Sequence, residues 1–300
     1  IALVIMIVAT MVSAGFTTTF SQLGRVLSRV GLVLLVLGTG LIIRPLVGWA
    51  SAELFNLSES AYIAMVLLAV VPGAPLGVKF VMSAKGDLTT GATLQVLLAV
   101  VASFTFAPTA SWILEAANLG EGVSLPVGEL LRTIVFLQVL PFAVGLLIRH
   151  WNEKGALEWN KTATAISGPA FLAVLALGLL TSWRTIIDLI GDRVILAAIV
   201  FVVAMVVIGY FLSVGSYETR AATSMVQIGS NSGPSFAAVA IAFGNDPAIL
   251  GAVVAILFFQ IIGGGLIGSW MGNQFGAADE EADEGTGAQA AEKVEGTSNG

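Results

Sequence analysis

Lys79 places an ammonium at the end of an apolar run, Val70-Val71-Pro72-Gly73-Ala74-Pro75-Leu76-Gly77-Val78-Lys79. At the centre of a membrane span such a charge costs roughly 2.5–3.5 kcal/mol. It therefore has either a way out to water or an anion to hold. Asp87 stands eight residues further on, roughly 12 Å along a helix and beyond a lysine's reach. Two readings follow: Lys79 snorkels to the surface, or it belongs to an anion site. Arg44, in Leu41-Ile42-Ile43-Arg44-Pro45, poses the same choice. Pro45 removes one backbone donor and disturbs its helix, so Arg44 either bonds the freed carbonyls as a fixed cation or snorkels outward. A second polar group is Gln227-Ile228-Gly229-Ser230-Asn231-Ser232-Gly233-Pro234-Ser235. Gln227 and Asn231 are four residues apart and share a helix face. Freed N–H groups at a helix break suit an anion, and freed carbonyls suit a cation. The expected site is Pro72, Gly73, Gly77, Lys79, Gln227, Ser230, Asn231 and Ser232, with Lys79 and Arg44 as candidate fixed cations. Gln95, Gln138 and Gln260 are expected only to bridge helices.

The elements that carry these residues are two apolar spans, each broken at its centre. An aspartate follows each break at the same distance: Pro72 to Asp87 and Asn231 to Asp246 are both 15 residues. Irregular backbone is tolerated at membrane depth only where protein covers it or it lines a wet cavity. Two interrupted spans at corresponding points of two halves point to the binding site of a carrier. Asp87 and Asp246 are expected to cap the helices that follow.

Composition agrees with a membrane chain: 57% of residues are apolar and 11% charged, and mean hydropathy is +0.95. Nine spans are predicted, at 1–16, 28–50, 61–82, 88–114, 127–149, 164–183, 193–215, 219–243 and 247–272, with Trp151–Lys161 a connector. Arg25, Arg29, Lys85, Arg149, Lys154, Lys161 and Arg220 fall in one set of connections, and Arg184 and Arg193 in the other. Basic residues stay inside, which puts the first set and the C-terminus in the cytoplasm and implies a bacterial inner-membrane protein. Trp49, Trp112, Trp151, Trp183 and Trp270 fall at or just beyond span ends, as interfacial anchors do. Gly264 and Gly268 form a small-residue pair for close helix approach. Residues 276–300 carry seven acids against Lys293 and read as an acidic, solvated tail. Without cysteine there is no thiolate chemistry. The single histidine, His150, sits at a span end, and no metalloprotease or nucleophile-elbow motif occurs. The chain is not expected to be an enzyme, to hold a cofactor or to bind nucleic acid.

In several stretches the sequence resembles the bile acid:sodium symporter family. Val71-Pro72-Gly73-Ala74-Pro75 through Ala84-Lys85-Gly86-Asp87 is similar to that family's P-G-G-x-x-S-N-V…A-[KR]-G-D segment. Gln138-Val139-Leu140-Pro141-Phe142-Ala143-Val144-Gly145-Leu146 resembles its L-L-P-x-x-x-G-L span. Gln227-Ile228-Gly229-Ser230-Asn231-Ser232 falls where the family shows E-V-G-M-Q-N, and Gly263-Gly264-Gly265 at its S-G-S. The resemblance implies an all-α membrane protein of nine or ten helices, built as two inverted five-helix repeats. They would be residues 1–114, with the first helix missing, and 127–275, joined by an external connector at 115–126. A core and a panel domain, two crossed broken helices and an organic anion substrate are implied with them. The family's sodium ligands fall here on Gly40, Gly77, Val78, Gly91, Gln95, Gln227 and Asn231. Most of these have lost their side-chain oxygen, and the one carboxylate is gone. The expectation is a secondary or facilitative organic anion carrier working by alternating access, with a positive side chain in place of sodium. Three alternatives stay open: sodium coupling through a rebuilt site, an arsenite exporter, against which the lack of cysteine speaks, and a membrane receptor that does not transport. Oligomeric state is not legible.

Overall fold

The computed structural model describes residues 2–74, 76–119, 125–190 and 193–275. Pro75, most of the tip of the 115–126 connector and the acidic tail at 276–300 lie outside the described residues. At Trp183 and Arg184 only the helix path is described.

The chain begins with α1 (Ala2–Thr17) and α2 (Phe20–Leu27), which meet at a bend of 81°. The bend is held by a reciprocal cap: the Thr19 hydroxyl accepts from the Gln22 amide, and the Gln22 side chain accepts from the Thr19 amide. Next come α3 (Val30–Gly38) and α4 (Arg44–Leu54), joined through a π-helical turn at Thr39–Ile43. After them come α5 (Glu59–Ala69) and α6 (Gly77–Ser83), separated by the first break, then α7 (Leu88–Ala116). The second part holds α8 (Val127–Ile134) and α9 (Leu140–Trp151), joined through another π turn at Val135–Val139. It continues with α10 (Glu153–Ile190), α11 (Val194–Leu212), α12 (Tyr217–Met225), α13 (Ser232–Ala242) after the second break, and α14 (Pro247–Gln274).

Each π turn ends two residues before a proline, Pro45 or Pro141. A proline ring collides with the carbonyl four residues back and offers it no N–H. Widening the preceding turn accommodates both effects, so neither span is interrupted there. The predicted connector Trp151–Lys161 needs correction: from Glu153 onward it belongs to the 38-residue α10, and only Asn152 separates it from α9.

Among the described residues, five helical segments are long and apolar enough to cross a membrane, Val30–Leu54, Leu88–Ala116, Val127–Trp151, Val194–Leu212 and Pro247–Gln274, and the bent α1–α2 pair makes a sixth if counted as one span. Large apolar side chains face outward along them, with Leu34 64%, Phe211 70% and Leu266 67% exposed. A soluble chain would not carry such a belt, and in a bilayer it meets lipid tails. The protein is an integral, multi-pass, all-helical membrane protein.

Packing divides the helices. One large apolar core joins α3 to α7 with α11 to α14, and Leu130 and Ile134 of α8 close its edge. Two smaller clusters lie beside it: Met6, Ile7 and Met11 of α1 meet Phe142 and Leu146 of α9 and Val96 of α7, and Phe16 meets Ala156 and Ala163 of α10. Gly15 and Gly145 bring α1 and α9 together; a Cβ on Gly15 would stand 2.4 Å from the Phe142 carbonyl oxygen. The Gly264–Gly268 pair does the same for α14, lying against the Phe80 ring and the Phe80 carbonyl oxygen of α6.

Candidate binding site at the helix breaks

The two breaks cross. Pro72 and Ser230 form an isolated antiparallel bridge, and the Asn231 amide donates to the Val71 carbonyl at 2.8 Å. Gly73 allows the crossing, because its φ of +92° lies where side chains strain the backbone, and a Cβ there would stand 2.6 Å from the Ala99 nitrogen. Hydroxyls tie the start of α13 to the end of α5: Ser230 donates to the Leu68 carbonyl at 2.8 Å and Ser235 to the Leu67 carbonyl at 3.0 Å. Beyond the breaks, Asp87 accepts from the amides of Thr89 and Thr90 and caps α7, and Asp246 accepts from those of Ala248 and Ile249 and caps α14. Burial pushes the Asp87 carboxyl up. Hydrogen bonds from the Thr90 hydroxyl and from the Thr90 and Thr89 amides, with Arg29 nearby, outweigh it and hold the group below its ordinary value.

Arg44 does not snorkel. It is fully buried, and its guanidinium lies inside the crossing. Nε donates to the Gln227 carbonyl at 2.9 Å, Nη1 to the carbonyls of Leu68 at 2.8 Å and Ala69 at 2.5 Å, and Nη2 to the Ser230 hydroxyl at 2.7 Å. The Phe201 ring covers one face, with its centroid 5.1 Å from the guanidinium carbon. These carbonyls end α5 and follow α12, so two helix C-termini turn their negative ends on the one cation. The freed carbonyls beside Pro45 are not its partners, contrary to that part of the expectation.

Lys79 differs from the sequence expectation in the other direction. Its side chain is exposed, so it is not a buried cation. It borders a cavity of about 520 Å³ between α1 and α10 on one side and α6, α7, α13 and α14 on the other. Among the described residues it is the only charged group on that wall. Leu76 and Val78 border the cavity after the first break, and Gly229 to Ser232 border it at the second. Pro72, Gly73 and Gly77 shape the crossing beneath it and do not line it.

Protein groups fill the positions where the resemblance implies sodium oxygens. Gln95 Oε1 accepts from the Val78 amide at 3.0 Å and stands 3.0 Å from where a Cβ on Gly77 would be. Gly40 faces Gln227 in the same way: a Cβ there would stand 3.0 Å from Gln227 Oε1 and 2.6 Å from Leu98 Cδ2. Gly91 packs against Val81 instead. Asn231 Nδ2 donates to Gln138 Oε1 at 2.7 Å, so Gln138 bridges helices as expected. Gln227 donates to the Val36 carbonyl at 3.1 Å, while its Oε1 and the Thr39 hydroxyl are buried with no partner.

Sequence reading missed two features. Gln260 was expected to bridge helices, yet it is 1% exposed, borders the cavity, and neither its Oε1 nor its Nε2 has a partner. Hydroxyls also line the facing wall, from Thr10, Ser13 and Thr17 of α1 and from Thr164 and Ser167 of α10. The spacing of 10, 13 and 17 on one helical face was the signal that could have found the first three.

The human P3 protein is 24% identical over 176 residues, covering 57% of this chain and 36% of that protein. The chain thus spans about a third of the curated relative it matches. Residues 4–189 match the sodium bile acid symporter family. That segment takes in Arg44, the first break and Lys79, while the second break lies beyond it. With well over half its length matched, the chain belongs to the sodium bile acid symporter family.

Proposed function

We propose that the protein carries a small organic anion across a bacterial inner membrane by alternating access. The observation that carries this reading is the cavity at the two breaks, whose wall, among the described residues, holds one exposed ammonium and no other charge. Its volume of about 520 Å³ is within the range of small-molecule sites. Lys79 supplies the counter-charge, and the N-terminal end of α13, which no side chain caps, turns its positive pole toward the same space. Gln260 and the hydroxyls of α1 and α10 provide hydrogen bonds for the polar body of a carboxylate.

Two bodies rock about this cavity: a panel of α1, α8, α9 and α10, and a core of α3 to α7 with α11 to α14. The small clusters that join α1 to α9 and α10 support that division, with Leu130 and Ile134 of α8 and Val96 of α7 packed across the seam. The repeat reading, residues 1–114 against 127–275, is supported by the matched breaks and by the two aspartate caps at equal distances beyond them. On this reading nine spans are present and the C-terminus is cytoplasmic. A thermal-shift screen of carboxylates and sulfonates on the purified protein tests the site. A hit should bind with Lys79→Ala weakening it about tenfold or more, as expected for one lost charge contact of about 1.4 kcal/mol at partial solvation. A hit bound equally well by Lys79→Ala would remove the cavity from the account.

A further inference from the structure

The crossing already contains a cation. Arg44 reaches four oxygens, on Leu68, Ala69, Gln227 and Ser230, from two separate stretches of chain, and it meets no acidic side chain among the described residues. A buried charge without a counter-ion is stable only where dipoles replace one. Here the carbonyl ends of α5 and α12 take that role. From this we propose that the Arg44 guanidinium is the resident cation of the crossing, and that the transport cycle uses no sodium ion there. The inference rests on the carrier reading only where it speaks of transport.

Three physical points support it. The oxygens that a dissociable cation would need are already engaged by N–H donors. A second unit charge about 4 Å from the guanidinium would bind about a thousandfold more weakly at an effective dielectric near 20. Two buried side-chain acceptors without a partner, Gln227 Oε1 and the Thr39 hydroxyl, are neutral and suit water better than an alkali ion. Arg44 belongs to the covalent chain and cannot follow a gradient, so it balances charge without coupling to sodium.

The test uses the purified protein. Radioactive sodium binding to wild type, at constant ionic strength set with choline, should show no saturable component. Arg44→Ala should melt at lower temperature, and millimolar guanidinium should restore its stability where methylammonium does not, because only the planar fork reproduces the four contacts. Saturable sodium binding to wild type overturns the proposal, and so does an Arg44→Ala protein as stable as wild type or indifferent to guanidinium. If Arg44→Ala does not fold, the wild-type sodium measurement decides alone. Absence of both sodium binding and anion uptake would strike the carrier reading and leave this inference standing.

Discussion

At Arg44 a side chain usually reserved for surfaces is enclosed completely, and geometry decides what it does there. A lysine at this position would keep the charge but lose the fork that reaches carbonyls on two helix ends. Asp87 works by a different balance, since its hydrogen bonds favour the carboxylate. A carboxyl held below its ordinary value of 3.8 contributes stability that is complete above that pH and is lost as the pH falls through the lowered value. Asp87→Ala should cost about 1 kcal/mol at neutral pH, the usual worth of an N-cap. Thermal melts across pH 3 to 7 in detergent, by order of magnitude the window of a carboxylate, should also show a flatter acid limb for the variant. An unchanged melting temperature would leave Asp87 without a capping role. Residue types signalled that Arg44 and Lys79 were worth attention, because charges in apolar runs are rare. Which of the two was enclosed could not be read from type, since that depends on helices brought together from distant parts of the chain. Gln260 was hidden for the same reason, as only the fold shows that no partner reaches it.

The broken elements were legible because glycine and proline interrupt apolar runs visibly, and both breaks fall where sequence placed them. The π turns were not legible, since nothing in sequence distinguishes a widened turn from a kink at Pro45 or Pro141. Nor was the continuity of α10: charged residues around 153–161 suggested a surface connector, yet helix propensity carries straight through them. Replacing both Pro72 and Gly73 by Ala tests the first break. Glycine to alanine gains about 1 kcal/mol of helix propensity, but the Cβ at 73 also meets the Ala99 nitrogen at 2.6 Å. The double variant should therefore insert normally and lose anion binding, read by thermal shift with the ligand found in the screen. Full binding in that variant would separate the crossing from the site.

For the whole molecule, the aromatic anchors give an independent view of orientation. Trp49 near the end of α4 and Trp112 near the end of α7 touch edge to face at 5.8 Å, which places both at one surface. In the proposed orientation, read from the basic-residue asymmetry, that surface is external. A reporter inserted at Leu57–Glu59 should register outside and one fused after Gly300 inside; an external signal at Gly300 would mean a miscounted span. The proposed division into a core and a panel came to the sequence only through the resemblance, since composition is uniformly apolar and gives no boundary. In the proposed cycle, the small clusters on α1, α9 and α10 would let one body move against the other. The most direct test of that motion is uptake by proteoliposomes of the anion that the thermal-shift screen selects, in sodium and in choline buffer. The account predicts uptake that continues past one molecule per protein, reaches the same level in both buffers and falls in Lys79→Ala. Uptake that stops at one equivalent would make the protein a receptor, and uptake that saturates with sodium would restore the ion to the crossing.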